Sequence, residues 1–123
     1  MTALHIAAFL FFLLGLGHSI LGERYILIRL FRRPDLPKLF GGTFFTIQTL
    51  RFAWHITTVA FWGLAGIIVA VSHGMNRAED LVRIVAWTAV ISALLPLWFT
   101  RGRHLSWLVF LAIAGLLFYW SSH

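Results

Sequence analysis

Four apolar stretches make up most of the chain, and three segments rich in charge, proline or glycine divide them. The stretches cover about residues 3–22, 52–72, 81–100 and 104–121. Each comes close to the roughly 20 apolar residues that a helix needs to cross about 30 Å of hydrocarbon. The expected fold is therefore all-α: a polytopic membrane protein, one four-transmembrane-helix bundle over residues 1–123. Residues 1–5 lack the basic start of a cleaved leader, so the first stretch is read as a retained span.

The dividing segments set the helix ends. The first helix is expected to run past the apolar stretch through the mixed apolar and basic "ERYILIRLFRR", until Pro34 and Pro37 of "PDLP" break it. "GGTF" reads as the start of the second helix with Thr43 as its cap, because no P-loop pattern accompanies the glycines. Gly74 in "SHGMN" reads as a helix stop. Asn76 with Glu79 three residues on reads as a capping pair for the third helix. The short "TRGRH" predicts that the third and fourth helices are antiparallel neighbours.

Charge gives the chain a direction. Arg24, Arg29, Arg32, Arg33, Lys38 and Arg51 fall in or beside the 23–51 loop, and Arg101 and Arg103 fall in the turn between the last two spans. Only Arg77 and Arg83 fall on the other side, offset by Glu79 and Asp80. This asymmetry places the basic loops in the cytoplasm and both termini outside, as in a bacterial inner-membrane protein. Trp54, Trp98 and Trp107 then lie at the inner boundary and Tyr119 and Trp120 at the outer.

Composition agrees. Hydrophobic residues are 60% of the chain and charged residues 11%, against about a quarter charged in soluble domains. The formal charge of +6 is then accounted for by topology and by anionic lipid headgroups, with no call for nucleic acid. The absence of cysteine excludes disulfides, thiolate metal sites and a Cys nucleophile. No Ser sits in a nucleophile-elbow pattern, and no carboxylate lies mid-span where a small proton-coupled exporter would need one.

The candidate chemistry is a histidine constellation. Gly15, His18, Ser19 and Gly22 share a small, polar face of the first span, and Arg51, His55 and Thr58 share a face of the second. His18 and His55 each lie about four residues inside the basic boundary, so at a rise of about 1.5 Å per residue they reach similar depth. Two imidazoles at one level suit haem b, with His18 and His55 as ligands, Arg51 toward the propionates or a quinone headgroup, and Glu23 orienting Arg51. A divalent metal ion would draw on His18, His55, His104 and Glu23. Two other readings stand beside these: polar residues that only lock helices together in an accessory or scaffold subunit, and a transporter or channel with a His-based path. His5 and His73 could form a second pair, as for a second haem, but 13 residues part His5 from His18 whereas 18 part His55 from His73, so they read as separate interfacial residues. Gly63, Gly66 and Gly115 suggest close helix contacts, within the bundle or in a homo-oligomer or larger complex.

Overall fold

The computed structural model describes residues 2–123, and every regular element in it is helical. Four helices follow one another: α1 (Thr2–Leu30), α2 (Phe44–Ser72), α3 (Ala78–Phe99) and α4 (Ser106–Ser122). The first three are long and apolar enough to cross a membrane, and α4 is apolar but shorter.

The elements end where backbone chemistry dictates. The chain leaves α1 before Pro34, turns through Phe40 and Gly41 at positive φ, and closes the turn by paired Leu39 and Gly42 hydrogen bonds. Gly74 at φ +81° terminates α2, the left-handed geometry that glycine adopts without steric cost. Gly102 at φ +78° ends α3, its N–H donating to the Leu97 carbonyl at 2.9 Å. Buried Thr100 reinforces this end by donating its hydroxyl to the Pro96 carbonyl and accepting the His104 N–H at 3.0 Å.

Three expectations are corrected here. The 23–51 loop ends early: α2 begins at Phe44, where "GGTF" placed the helix start, so residues 44–51, Arg51 among them, are helical ahead of the apolar span. Neither expected cap forms: Thr43 stands at the N-cap of α2 without a side-chain bond, and Arg77, not Asn76, occupies the N-cap of α3. Glu79 instead faces Arg77 at 3.4 Å. Within α1, Glu23–Leu27 winds as a π-helical turn in which the Ile28 N–H reaches the Glu23 carbonyl. The extra residue in that turn shifts the face of everything after it, and it brings Leu27 into the interior at 2% exposure.

Packing runs in chain order. Helix α1 packs on α2, α2 on α3 and α3 on α4, each pair antiparallel, and among the described residues no substantial contact joins α4 back to α1. The molecule is thus a row of helices with two open edges rather than a closed bundle. Both termini lie at one end of the row. The Phe31–Thr43 and Thr100–Leu105 connections, which carry most of the loop arginines, lie at the other, called the basic end below.

The seams are made of small residues. On α3 the buried positions are Ala86, Ala89, Ser92, Ala93 and Pro96, while Trp87, Ile91 and Leu94 face outward. Gly63 of α2 lets Thr88 of α3 approach until a β-carbon there would sit 2.6 Å from its hydroxyl. Large apolar side chains outside and alanines inside invert the order of a water-soluble protein. Close backbone approach through small residues is how helices associate where lipid, not water, surrounds them.

Candidate functional site

The polar side chains of α1 and α2 meet along one seam at the basic end. Arg51, His55 and Thr58 project from one face of α2 because their spacing of four and three returns to the same side of a helix. Gly15, Ser19 and Glu23 do the same on α1. Gly15 has no side chain, so its carbonyl is open to a partner, and Thr58 donates its hydroxyl to it at 3.0 Å. Next along the seam, the Ser19 hydroxyl meets that of Thr58. His55 follows, with Nδ1 2.9 Å from Ser19 Oγ and Nε2 3.1 Å from Glu23 Oε2. Glu23 Oε1 then lies 2.9 Å from Arg51 Nε.

The last contact is an ion pair without a hydrogen bond. Arg51 Nε is buried and its N–H does not point at the carboxylate, so it lacks a hydrogen-bond acceptor despite the short distance. The guanidinium rests on the Phe31 ring, 4.9 Å from its centre, a cation–π contact that ties the end of α1 to the site. Glu23 is also the first residue of the π turn; such turns inside α-helices occur frequently at functional sites.

Hydrogen counting gives one donor order that satisfies every contact of this chain. A carbonyl only accepts, so the single Thr58 hydrogen goes to Gly15. Ser19 must then donate to Thr58, which leaves Ser19 to accept from His55 Nδ1–H. With Nδ1 protonated, the 3.1 Å contact between His55 Nε2 and Glu23 would set a bare lone pair against a carboxylate unless one further proton lies between them. That proton resides on the imidazole, giving imidazolium and carboxylate, or on Glu23, giving a carboxylic acid that donates to a neutral ring. Either way, the fully bonded network holds one proton between His55 Nε2 and Glu23, beside Arg51.

The structure brings Glu23, Arg51 and His55 together and places the other candidates elsewhere. His18 lies on the opposite flank of the seam. Its ring stacks on Trp54 at 4.6 Å with an interplanar angle of 2°, and meets the edge of Phe61. Its Nε2 bonds the Trp54 carbonyl at 3.1 Å, and Trp54 Nε1 returns a bond to the His18 carbonyl at 2.8 Å. His55 faces inward, stacking near Phe99 of α3. The two imidazoles share depth but have no common partner. His104 lies at the turn into α4, between Phe45 and Phe52, with Nδ1 2.8 Å from Ser106 Oγ. Among the described residues, no three His, Asp or Glu side chains converge as a metal-ligand group.

Two features escaped the sequence reading. Trp54 is a partner of His18 rather than a belt residue alone. His5 and His73, read as separate, pack edge to face with ring centres 5.8 Å apart, and Ser72 Oγ stands 3.4 Å from His5 Nε2. An antiparallel register that pairs Gly15 with Thr58 also carries His5 to His73, and this was the available signal.

Comparison with protein-family models, curated proteins and solved structures finds no match.

Proposed function

We propose that this chain is a four-span integral membrane protein, its basic loops on the cytoplasmic side of a bacterial inner membrane, that takes up and releases a proton at the Glu23–His55 pair. The observation that carries this reading is the unbroken run of contacts from the Gly15 carbonyl through Thr58, Ser19 and His55 to Glu23, which is fully bonded when one further proton lies between His55 Nε2 and Glu23. Ionisable groups inside a membrane segment are costly and are retained for proton, ion or substrate handling. The pair lies beside the basic end, where protons exchange with bulk water, and Arg51 holds the local charge as the proton comes and goes.

A proton fits these residues better than haem b or a divalent metal. A metal needs a ring nitrogen with a free lone pair; both nitrogens of His55 are engaged, and the lone pair left on His18 Nδ1 when Nε2–H donates to the Trp54 carbonyl lies on the opposite flank of the seam from His55. A second reading, an accessory subunit beside another membrane component, is favoured by the open outer flank of α1. There Ala7, Leu10, Leu14, Gly17, His18 and Leu21 line an apolar groove of about 830 Å³.

Nitrogen NMR of histidine-labelled protein in lipid nanodiscs tests the proposal. At neutral pH His55 should show Nδ1 protonated and Nε2 in exchange with Glu23. Glu23→Gln keeps a donor toward Nε2 and so should preserve the fold, while proton uptake by the protein falls by one. A His55 ring that is protonated only on Nε2 throughout the pH range would refute the reading.

A further inference from the structure

At the basic end, a second site is marked by charge with nothing to balance it. Arg101 and Arg103 both place their guanidinium groups over the Phe44 ring, at 5.3 and 5.7 Å from its centre. Phe44 opens α2, a helix of 29 residues whose N-cap, Thr43, supplies no side-chain bond to the first-turn N–H groups. Two cations therefore stand at the positive end of a long helix dipole.

The four Asp and Glu residues of the chain all lie elsewhere. Glu23 pairs with Arg51 and His55, Asp35 with Arg33 and Glu79 with Arg77. Asp80 lies in the first turn of α3, at the opposite end of that helix from Arg101. Beside the arginines, Phe44, Gln48, Leu97, Trp98, Phe99 and Arg101 line a hollow of about 500 Å³. Phe40 and Arg103 line a second, of about 400 Å³. Trp98 at its rim is 82% exposed, as suits a ring seated at headgroup level.

We infer that this corner binds a phosphoryl anion, presented by the headgroup of an anionic phospholipid. The guanidinium fork matches phosphate oxygens in pairs, and an aromatic face behind it holds the fork in place. The Gln48 amide and the free N–H groups of the first turn of α2 add neutral donors. The acyl chains lie along the outward faces of Leu97 and Trp98. The inference rests on the membrane-spanning reading but not on the Glu23–His55 proton.

The test uses the full chain in detergent micelles, titrated with phosphatidylglycerol, with phosphatidylcholine, and with soluble glycerol 3-phosphate, bound lipid being read by native mass spectrometry. Phosphatidylglycerol should bind in preference to phosphatidylcholine, and glycerol 3-phosphate should fail to compete at equal concentration. Each arginine at a surface of this kind contributes about a factor of five, so R101Q/R103Q should weaken binding roughly 10- to 30-fold. R29Q/R32Q removes the same charge from the other basic segment and should change binding by less than about 3-fold. Gln48→Leu leaves every charge in place and should still weaken binding by about 5-fold, which keeps the test open if the double variant misfolds. Equal losses in the two double variants would show only diffuse attraction and overturn the site. Equal binding of the zwitterionic lipid would also overturn it, and effective competition by glycerol 3-phosphate would replace the lipid with a soluble ligand. Glu23→Gln should bind phosphatidylglycerol normally, so failure of this site and failure of the proton site are separable.

Discussion

Placing the same methyl group at two glycines of α1 should have opposite effects. A β-carbon on Gly22 would sit 2.1 Å from Trp54 Nε1 and 2.4 Å from Cε2, whereas one on Gly17 meets nothing within 4 Å. Ordinary contact begins near 3.4 Å, so in Gly22→Ala the indole must move by more than an ångström. It is not free to do so, because Nε1 bonds the His18 carbonyl at 2.8 Å and the ring lies flat on the His18 imidazole. Overpacking costs about 1–3 kcal/mol, and loss of the bond and the stack about 0.5–1.5 kcal/mol each. The better helix propensity of alanine returns up to about 1 kcal/mol. Gly22→Ala should therefore destabilise by about 2–3 kcal/mol, and Gly17→Ala should be neutral or stabilise by up to about 1 kcal/mol. Equilibrium unfolding in mixed micelles, followed by tryptophan fluorescence and circular dichroism, measures both. In a Trp54→Ala background the cost at Gly22 should largely vanish, which isolates the pair from any general effect on the helix. If Gly22→Ala unfolds within about 0.5 kcal/mol of Gly17→Ala, the close approach of α1 to Trp54 is refuted.

Thr58→Val keeps the shape of the side chain but removes the donor to Gly15; it should destabilise by about 1–2 kcal/mol and release Ser19 from its donor role, seen as a changed His55 Nδ1 resonance. Gly63→Ala should drive α2 from Thr88 and cost about 1–3 kcal/mol, whereas Gly115→Ala, with open space around it, should leave stability unchanged in the same unfolding assay. The Arg33 side chain holds the Asp35 carboxyl below its ordinary 3.8 through a hydrogen bond, and this pair is fully exposed in the loop. A lowered carboxyl pKa stabilises above the ordinary carboxylate range and loses that effect as pH falls through the lowered value. Carbon NMR should find the Asp35 midpoint below 3.8 and returning toward it in Arg33→Gln.

The long-range plan of the fold was legible in the hydropathy pattern: apolar length, the Pro34–Pro37 break and Gly74 mark where helices run and stop. The 23–51 loop was drawn too long because Thr46, Gln48, Thr49 and Arg51 look like loop in a hydropathy pattern, yet they belong to the helix that "GGTF" opens. The π turn left no pattern in "ERYIL", where Glu23 pairs with Arg51 and His55 of α2 and Leu27 is buried. The Glu23–Arg51–His55 cluster followed from helical spacing and common depth. The separation of His18 from His55 did not, because depth fixes only one coordinate. Adjacent residues on a helix point about 100° apart, so Trp54 and His55 face different flanks of the seam, and His18 follows the tryptophan while Ser19 follows the histidine.

The row arrangement also bears on how the protein is made. Apart from the Phe99 ring beside His55, every group of the polar seam belongs to the first 72 residues. A hairpin of α1 and α2 leaving the ribosome already contains Glu23, Arg51, His55, Ser19 and Thr58, and satisfies them before α3 is synthesised. On the proposed membrane-spanning reading, the costliest polar groups then enter the bilayer as a finished unit, and the later helices add to its flank.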